Sequence, residues 1–300
     1  MINYKEFIEK VAIGVQDRLG EAYQVDFLPV KKNNGIIADG ICVGNKEERV
    51  RVNVYVEEFY QDYLEHGDLK KCVSEITAYI KKHHIPKEHG EDMRQMISSW
   101  DVVKRYVHPA LLSKSKNQEL LQNMPSHPFL DLAIVYMIHI PQEEMHGVIK
   151  ISRGMIKLWG IGEEELHQTA MENQKEEGYE IKSLGEIVDS MGIALEEEVS
   201  EDLGLCPMYV LSNQENFYGA VGILDDSLLA EFAEKVQKNL YLLPASLHEF
   251  IIVLDEGKTN VEELNGMVKE INESVVGTQE VLEDHVYYFD RVERKIKIPE

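Results

Sequence analysis

The chain opens with apolar residues spaced three and four positions apart, which predicts a helix with one buried face. These positions are Tyr4, Phe7, Ile8, Val11, Ala12 and Val15. Asn3 and Glu6 have the spacing of a capping box at the start of this helix, and Gly20 is a suitable residue to end it. The chain is therefore expected to begin with an amphipathic helix that covers a hydrophobic core.

Alternating apolar and polar residues follow, which is typical of strands with one covered face. The alternation runs through Tyr23–Phe27 and Val50–Val56, and a further apolar run extends from Gly35 to Val43. Asn33-Asn34-Gly35 suits a turn with positive φ. A second amphipathic helix is predicted from about Asp68 to Lys82. This part of the chain is therefore predicted to form a helix, then antiparallel strands, then a second helix.

The rest of the chain shows strands and helices in blocks, which favours an α+β fold with antiparallel sheets and packed helices. The predicted elements are strands at Asp131–His139, Met208–Ser212, Ala220–Leu224, Leu240–Leu243 and Glu249–Leu254, helices from Asp226 and after a cap at Thr259 and Glu262, and a hairpin around Asp290-Arg291. We expect two subdomains, 1–115 and 116–300, with an acidic helical insert around 152–202 in the second.

The amino-acid composition restricts the classes of protein to which the chain can belong. The 300 residues are 44% hydrophobic, which is enough for a core, and the net charge is −23. Such a charge disfavours direct binding of nucleic acid or of anionic membranes. The N-terminus lacks the pattern of a signal peptide and no apolar run approaches membrane-spanning length, so a cytoplasmic location is expected. The three cysteines are far apart, which predicts reduced thiols.

Much of the negative charge is concentrated in one segment. Residues 163–202 contain 14 acidic residues against two lysines. We expect this segment to form a contact surface for a protein partner with a basic surface. The residues predicted to form the surface are Glu163, Glu164, Glu165, Glu196, Glu197 and Glu198.

Three imidazoles lie close together at His83, His84 and His89, which makes them candidate ligands for zinc or nickel. Metal sites need ligands on rigid elements, whereas Pro86 places this run in a predicted loop after a helix. Neighbouring lysines also disfavour a cation. A solvated loop is therefore the preferred interpretation, and no metal is predicted.

A possible nucleophile and base lie between two predicted strands. If the segment is extended, Ser246 and His248 point to the same side, and Glu249 follows them. The G-x-S-x-G elbow of a serine hydrolase is absent, and sequence neighbours seldom reach the geometry of a triad. The alternative is a polar entry to a strand, in which Ser246 bonds to the backbone and His248 is partly buried.

Other possible motifs lack the spacing or the residue types that their function requires. His139 and His146 do not form H-E-x-x-H, and Pro141 interrupts the required helix. Residues 152–173 resemble a helix-turn-helix, but three glutamates open its second helix and disfavour DNA. Glycine-rich phosphate loops are absent, and no cofactor is predicted.

Several short sequence segments resemble those of a known family. They are Asn117-Gln118-Glu119-Leu120-Leu121 with Asp131–Tyr136, Leu158-Trp159-Gly160, and Met208–Asn213 with Tyr218-Gly219-Ala220 and Leu243–Glu249. Together they resemble an uncharacterised bacterial family, a domain of unknown function common in anaerobic Gram-positive gut bacteria. The resemblance implies no activity and no set of functional residues.

Three functions remain open on the sequence alone. The leading hypothesis is a non-enzymatic cytosolic module that binds a protein through the acidic segment. The second is a hydrolase with a site around Ser246 and His248. The third is an acidic mimic of nucleic acid that inhibits a DNA- or RNA-binding protein.

Overall fold

A computed structural model describes residues 1–46, 51–83, 87–140, 147–190 and 208–299. The described residues form helices and three antiparallel sheets, so the predicted α+β class is confirmed. The chain divides into two compact units, Met1–Val102 and Val103–Glu300. In the described residues, no helix is long and apolar enough to cross a membrane.

The first unit packs helices on a three-stranded antiparallel sheet of order β1-β2-β3. Its elements are α1 (Tyr4–Leu19), β1 (Tyr23–Lys31), β2 (Ile37–Asn45), β3 (Val52–Tyr55), α2 (Glu57–His66), α3 (Leu69–Lys82), α4 (Lys87–Ser98) and the short α5 (Trp100–Val103) at its end. Phe7, Val11, Ile41 and Ile76 are among its fully buried side chains. The capping box of Asn3 and Glu6 is present, as predicted.

The described part of the second unit contains two antiparallel sheets. Its strands are β4 (Val107–Ser113), β5 (His127–Phe129), β6 (Leu132–Ile140), β7 (Gly147–Lys150), β8 (Tyr179–Ser183), β9 (Met208–Asn213), β10 (Leu240–Pro244), β11 (Phe250–Leu254), β12 (Tyr287–Asp290) and β13 (Lys295–Lys297). One sheet has the order β4-β6-β5, with β7 also pairing with β6. The other has the order β13-β12-β10-β11-β9-β8.

Helices and a 3-10 segment connect these strands. They are α6 (Gln118–Gln122), α7 (Arg153–Trp159), α8 (Glu163–Glu177), α9 (Leu184–Ser190), the 3-10 helix Gly219–Leu224, α10 (Asp226–Val236) and α11 (Val261–Ser274). Helix α8 packs against β4, while the 3-10 helix packs against both β4 and β9. Strand β4, which pairs with β6, is therefore covered by two elements that come from different parts of the chain.

Two local predictions were wrong. Residues 220–224 form a 3-10 helix rather than a strand, because Tyr218 adopts the left-handed conformation and the chain then packs too closely on β9 to extend. Asn260, not Thr259, caps α11, and its side chain accepts a hydrogen bond from the backbone N–H of Glu262. In addition, the sequence pattern did not reveal α2.

Candidate metal centre

Strands β4 and β6 place two histidines side by side at the edge of their sheet. His108 in β4 pairs with Met137 in β6, so its side chain shares a face with His139, two residues further along β6. The two imidazole rings are stacked, with centroids 4.3 Å apart and 18° between their planes. Ordinary strand register therefore brings together two ring nitrogens that lie far apart in sequence.

Glu177, the last residue of α8, brings a carboxylate to this pair. Asn173, one turn earlier, anchors the end of the helix by donating from Nδ2 to the backbone oxygens of Lys104 and Val107, just before His108. One ligand atom from each of His108, His139 and Glu177 lies within 4.8 Å of the other two. The side chains of His108 and Glu177 are only 17% and 16% exposed.

The carboxylate of Glu177 is held by hydrogen bonds on both oxygens. Tyr179 Oη donates to Oε2 at 2.7 Å, and Asn213 Nδ2 donates to Oε1 at 2.9 Å. Burial by itself would raise the pKa of Glu177. The contacts with His108 and Tyr179 and the nearby His139 outweigh it, so its pKa lies below the ordinary value. Glu177 is therefore ionised at neutral pH although it is mostly buried.

Nδ1 of His108 is buried and lies 3.4 Å from Oε2 of Glu177, which is longer than an ordinary hydrogen bond. Among the described residues this nitrogen has no hydrogen-bond partner. Leaving a buried polar atom in that state costs free energy, because the atom has lost its hydrogen bonds to water. A cation between this nitrogen and the carboxylate would give the nitrogen a partner and would offset the charge of the carboxylate.

A known family covers almost the whole chain. Residues 4–291 match a family of unknown function, DUF5688. The chain belongs to the DUF5688 family. No curated protein and no solved structure matches. The predicted resemblance to a domain of unknown function is thus confirmed, while the distribution of DUF5688 among gut bacteria stays a prediction.

The predicted nucleophile and base of this DUF5688 chain lie in the turn between β10 and β11. Ser246 Oγ accepts a hydrogen bond from the backbone N–H of His248 at 2.9 Å. Nδ1 of His248 accepts from the N–H of Tyr218 at 3.0 Å, and its Nε2 lies 3.8 Å from Oε1 of Glu280. The backbone oxygen of Glu249 closes the turn by accepting from Ser246 N. The described hydrogen bonds of Ser246 are thus to backbone, and a Ser246–His248 dyad stays a prediction.

The predicted acidic surface is described only in part. Glu163, Glu164 and Glu165 form the first turn of α8, while Glu196, Glu197 and Glu198 lie outside the described residues. Glu163 forms an ion pair with Arg153 of α7. Glu164 is 68% exposed and lies 3.4 Å from Nε2 of His127.

The three candidate histidine ligands of the first unit are not gathered by any described contact. His83 caps α3, and its ring lies on Tyr79 with centroids 4.0 Å apart. His84 lies outside the described residues, as does the side chain of His89. The backbone of His89 belongs to α4, so this end of the predicted loop is helical.

A second cluster in the DUF5688 chain contains Asp131, Glu283 and His285, also within 4.8 Å of one another. Its groups already have partners. Asp131 accepts from Tyr287 Oη at 2.8 Å and lies 2.7 Å from His285 Nε2, and Ser113 Oγ donates to Glu283 at 2.5 Å. Lys116 Nζ lies 4.0 Å from Glu283 and supplies the positive charge. This cluster is therefore better explained as a structural network.

Sequence reasoning missed His108 and Glu177 altogether. His139 was noticed only through its distance from His146, which lies outside the described residues. The available signal was weak: His139 is a polar residue near the end of the most apolar strand, and Glu177 stands directly before a glycine at a helix end. Neither feature identifies a partner 31 or more positions away.

Proposed function

We propose that this DUF5688 protein binds a divalent late first-row transition cation, zinc in the first instance, through His108, His139 and Glu177. The observation that carries the proposal is a largely buried carboxylate, 16% exposed, with an oxygen within 4.8 Å of two imidazole nitrogens. The surrounding donors also match those of metal sites, where ligating carboxylates are themselves hydrogen-bonded. Tyr179 and Asn213 supply that outer layer.

The donor set favours zinc over magnesium or calcium. Two imidazoles and one carboxylate form the ligand combination of many catalytic zinc sites, whereas the hard cations prefer oxygen ligands alone. The negative charge of Glu177 also offsets part of the cation's charge. Because a tetrahedral site with three protein ligands keeps its fourth position open, the site would accept water or a substrate atom.

Binding requires a local adjustment. Zinc bonds of about 2.0–2.1 Å place tetrahedral ligand atoms roughly 3.4 Å apart, while the three donor atoms spread over as much as 4.8 Å. The lone pairs of His108 and His139 also lie in nearly parallel planes, since the planes of their stacked rings differ by only 18°. We expect the imidazoles to rotate about χ2 and the stack to open when the cation binds.

The test is a titration of the full chain with Zn²⁺ in competition with a chromogenic chelator, together with Co²⁺ absorption to report the coordination geometry. Glu177→Gln and His108→Ala are expected to weaken binding at least tenfold, because each removes a ligand or its charge. Glu283→Gln and His285→Gln are matched controls from the second cluster and should leave the affinity unchanged. Equal affinity in all five proteins would contradict the proposal.

An open coordination position supports the hydrolase hypothesis in a different form from that predicted. A metal-bound water becomes a nucleophile at neutral pH because the cation lowers its pKa. In this form of the hypothesis His108, His139 and Glu177 would hold the cation, while the site around Ser246 and His248 stays a prediction. Hydrolysis of generic ester substrates should then require added Zn²⁺ and should be lost in Glu177→Gln.

Protein binding through the acidic segment remains a second proposal, supported by the high exposure of Glu164 at the start of α8. Reversing the charge of the six predicted glutamates should remove a basic partner in affinity capture, and unchanged capture would contradict it. Nucleic-acid mimicry stays a prediction, which competition with duplex DNA for a DNA-binding protein would test.

A further inference from the structure

The segment 213–218 builds one wall beside the proposed metal centre. Asn213 is only 3% exposed, and its amide is fully used. Its Nδ2 donates to Glu177 Oε1 and to the backbone oxygen of Phe217, each at 2.9 Å, and its Oδ1 accepts from Phe217 N at 3.0 Å. The side chain that orients the carboxylate therefore also fixes the position of Phe217.

The ring of Phe217 lies close to two imidazoles. Its centroid is 5.9 Å from that of His139 and 5.8 Å from that of His248, and it is nearly parallel to the latter, at 23°. All three side chains are only partly buried. A row of flat rings thus leads from the metal centre to His248, and such rings pack well against flat ligand groups.

Tyr218 N–H selects one tautomer of the neutral His248 ring. Its φ of 53° and ψ of 26° lie in the left-handed region, which is unusual for an aromatic residue and occurs preferentially at ligand sites. In this conformation its N–H donates to His248 Nδ1 at 3.0 Å. Because Nδ1 must offer a lone pair, the neutral ring carries its proton on Nε2.

The Nε2–H group of His248 has room for another acceptor. Among the residues that the structure describes, the nearest charged partner is Oε1 of Glu280 at 3.8 Å, beyond hydrogen-bonding distance, and the side chain of His248 is 26% exposed. The carboxylate of Glu280 would repel an anionic group at this end of the site. A neutral oxygen acceptor on a flat group is the chemistry that fits.

We infer that Phe217 and the Nε2–H of His248 form a second subsite, which binds the flat, uncharged amide or acyl group of a small molecule whose other end ligates the metal. This inference rests on the proposed metal-binding function. His248 acts here as an orienting donor rather than as the base for Ser246.

The experiment uses the full chain loaded with Co²⁺ and three probes: benzohydroxamic acid and its 3- and 4-carbamoyl derivatives. The hydroxamate ligates the metal, and the cobalt spectrum reports binding. At least one carbamoyl derivative should bind wild type about fivefold more tightly than the parent compound, the usual effect of one added hydrogen bond. His248→Asn should abolish this gain, because Asn Oδ1 keeps the acceptor for Tyr218 but lacks the Nε2–H. His248→Gln, whose amide nitrogen replaces Nε2, should retain most of it.

Each outcome is decisive. If Co²⁺ does not bind to wild type, the proposed function fails and this inference fails with it. If Co²⁺ binds equally to wild type and variants but the carbamoyl group gives no gain, or the gain survives His248→Asn, only this inference is overturned. Phe217→Leu provides a second test should His248→Asn not fold. It should weaken all three probes by a similar factor, about threefold to tenfold, while leaving Co²⁺ affinity intact.

Discussion

The hydroxyl of Tyr179 donates a 2.7 Å hydrogen bond to Oε2 of Glu177, two residues earlier in the chain. The contact depends on Gly178, which ends α8 with a φ of 71° and turns the chain into β8. Other residues rarely adopt this φ, so the glycine allows helix end and strand start to face each other. A local sequence feature thereby orients the carboxylate that is central to the proposed site.

Tyr179→Phe should lower the affinity for Zn²⁺ about tenfold while the protein remains folded. The substitution removes one of the two donors that hold the carboxylate, and loss of such outer hydrogen bonds typically costs 10- to 100-fold in metal affinity. Chelator competition measures the change. Tyr288→Phe is the matched control, since Tyr288 Oη also donates to a carboxylate, that of Asp255, at 2.8 Å. If both variants bind Zn²⁺ like wild type, Tyr179 does not orient a metal ligand.

Gly219→Ala should destabilise the second unit by about 1–3 kcal/mol, the usual range for overpacking. A Cβ at Gly219 would lie 2.3 Å from Ser212 Oγ, 2.6 Å from Asn213 N and 2.7 Å from His248 O, and two of these are backbone atoms that cannot easily move. Urea unfolding measures the effect. Gly266→Ala in α11, where a Cβ meets nothing within 4 Å, should instead be neutral or stabilising.

The elements of the fold were predictable wherever a local pattern decided them. The capping box at Asn3, the turn at Asn34 with its φ of 59°, and the strands on either side of Ser246 follow from side-chain spacing and turn chemistry within a few residues. The prediction of a strand at residues 220–224 was wrong because apolar composition alone does not separate a strand from a buried 3-10 helix. The deciding factor was close packing of Gly219 on Ser212 and on the backbone oxygen of His248, which is distant in sequence.

The candidate site was not predictable because register between distant elements creates it. His108 meets His139 through pairing of β4 with β6, and Glu177 arrives on α8. No local spacing encodes those relationships. Of the histidines that cluster in sequence, by contrast, His83 lies at the end of α3 and packs on Tyr79. Closeness in sequence thus pointed to a residue at a helix end, whereas the possible ligands that come together in the fold are far apart in sequence.

Asn260→Ala should cost about 1 kcal/mol of stability, whereas Thr259→Ala should have little effect. Asn260 Oδ1 accepts from Glu262 N at 3.0 Å and so satisfies a backbone donor in the first turn of α11. Urea unfolding of the two variants distinguishes the caps suggested by structure and by sequence. A larger loss in Thr259→Ala would mean that the helix begins one residue earlier, with Thr259 as its cap.

The pair of His285 and Asp131 should make the second unit more stable at mildly acidic than at alkaline pH. Burial lowers the pKa of His285, but the carbonyl of Val286, the carboxylate of Asp131 at 2.7 Å and the charge of Glu283 outweigh it, so the pKa lies above its ordinary value. A raised pKa means that the folded state binds the proton more tightly. The resulting stabilisation is complete below about pH 6.5, the unfolded value, and disappears as pH rises through the folded pKa.

Unfolding by urea at several pH values between 5.5 and 9 measures this dependence. Asp131→Asn should flatten the curve, because an amide accepts a hydrogen bond from His285 without holding its charge. His285→Gln should remove the same dependence, and at pH 6 it should cost about 1.5–3 kcal/mol, the scale of a hydrogen bond to a charged group. A wild-type curve with the same slope as that of Asp131→Asn would show that the imidazolium of His285 does not stabilise the fold, and would leave its contact with Asp131 a neutral hydrogen bond.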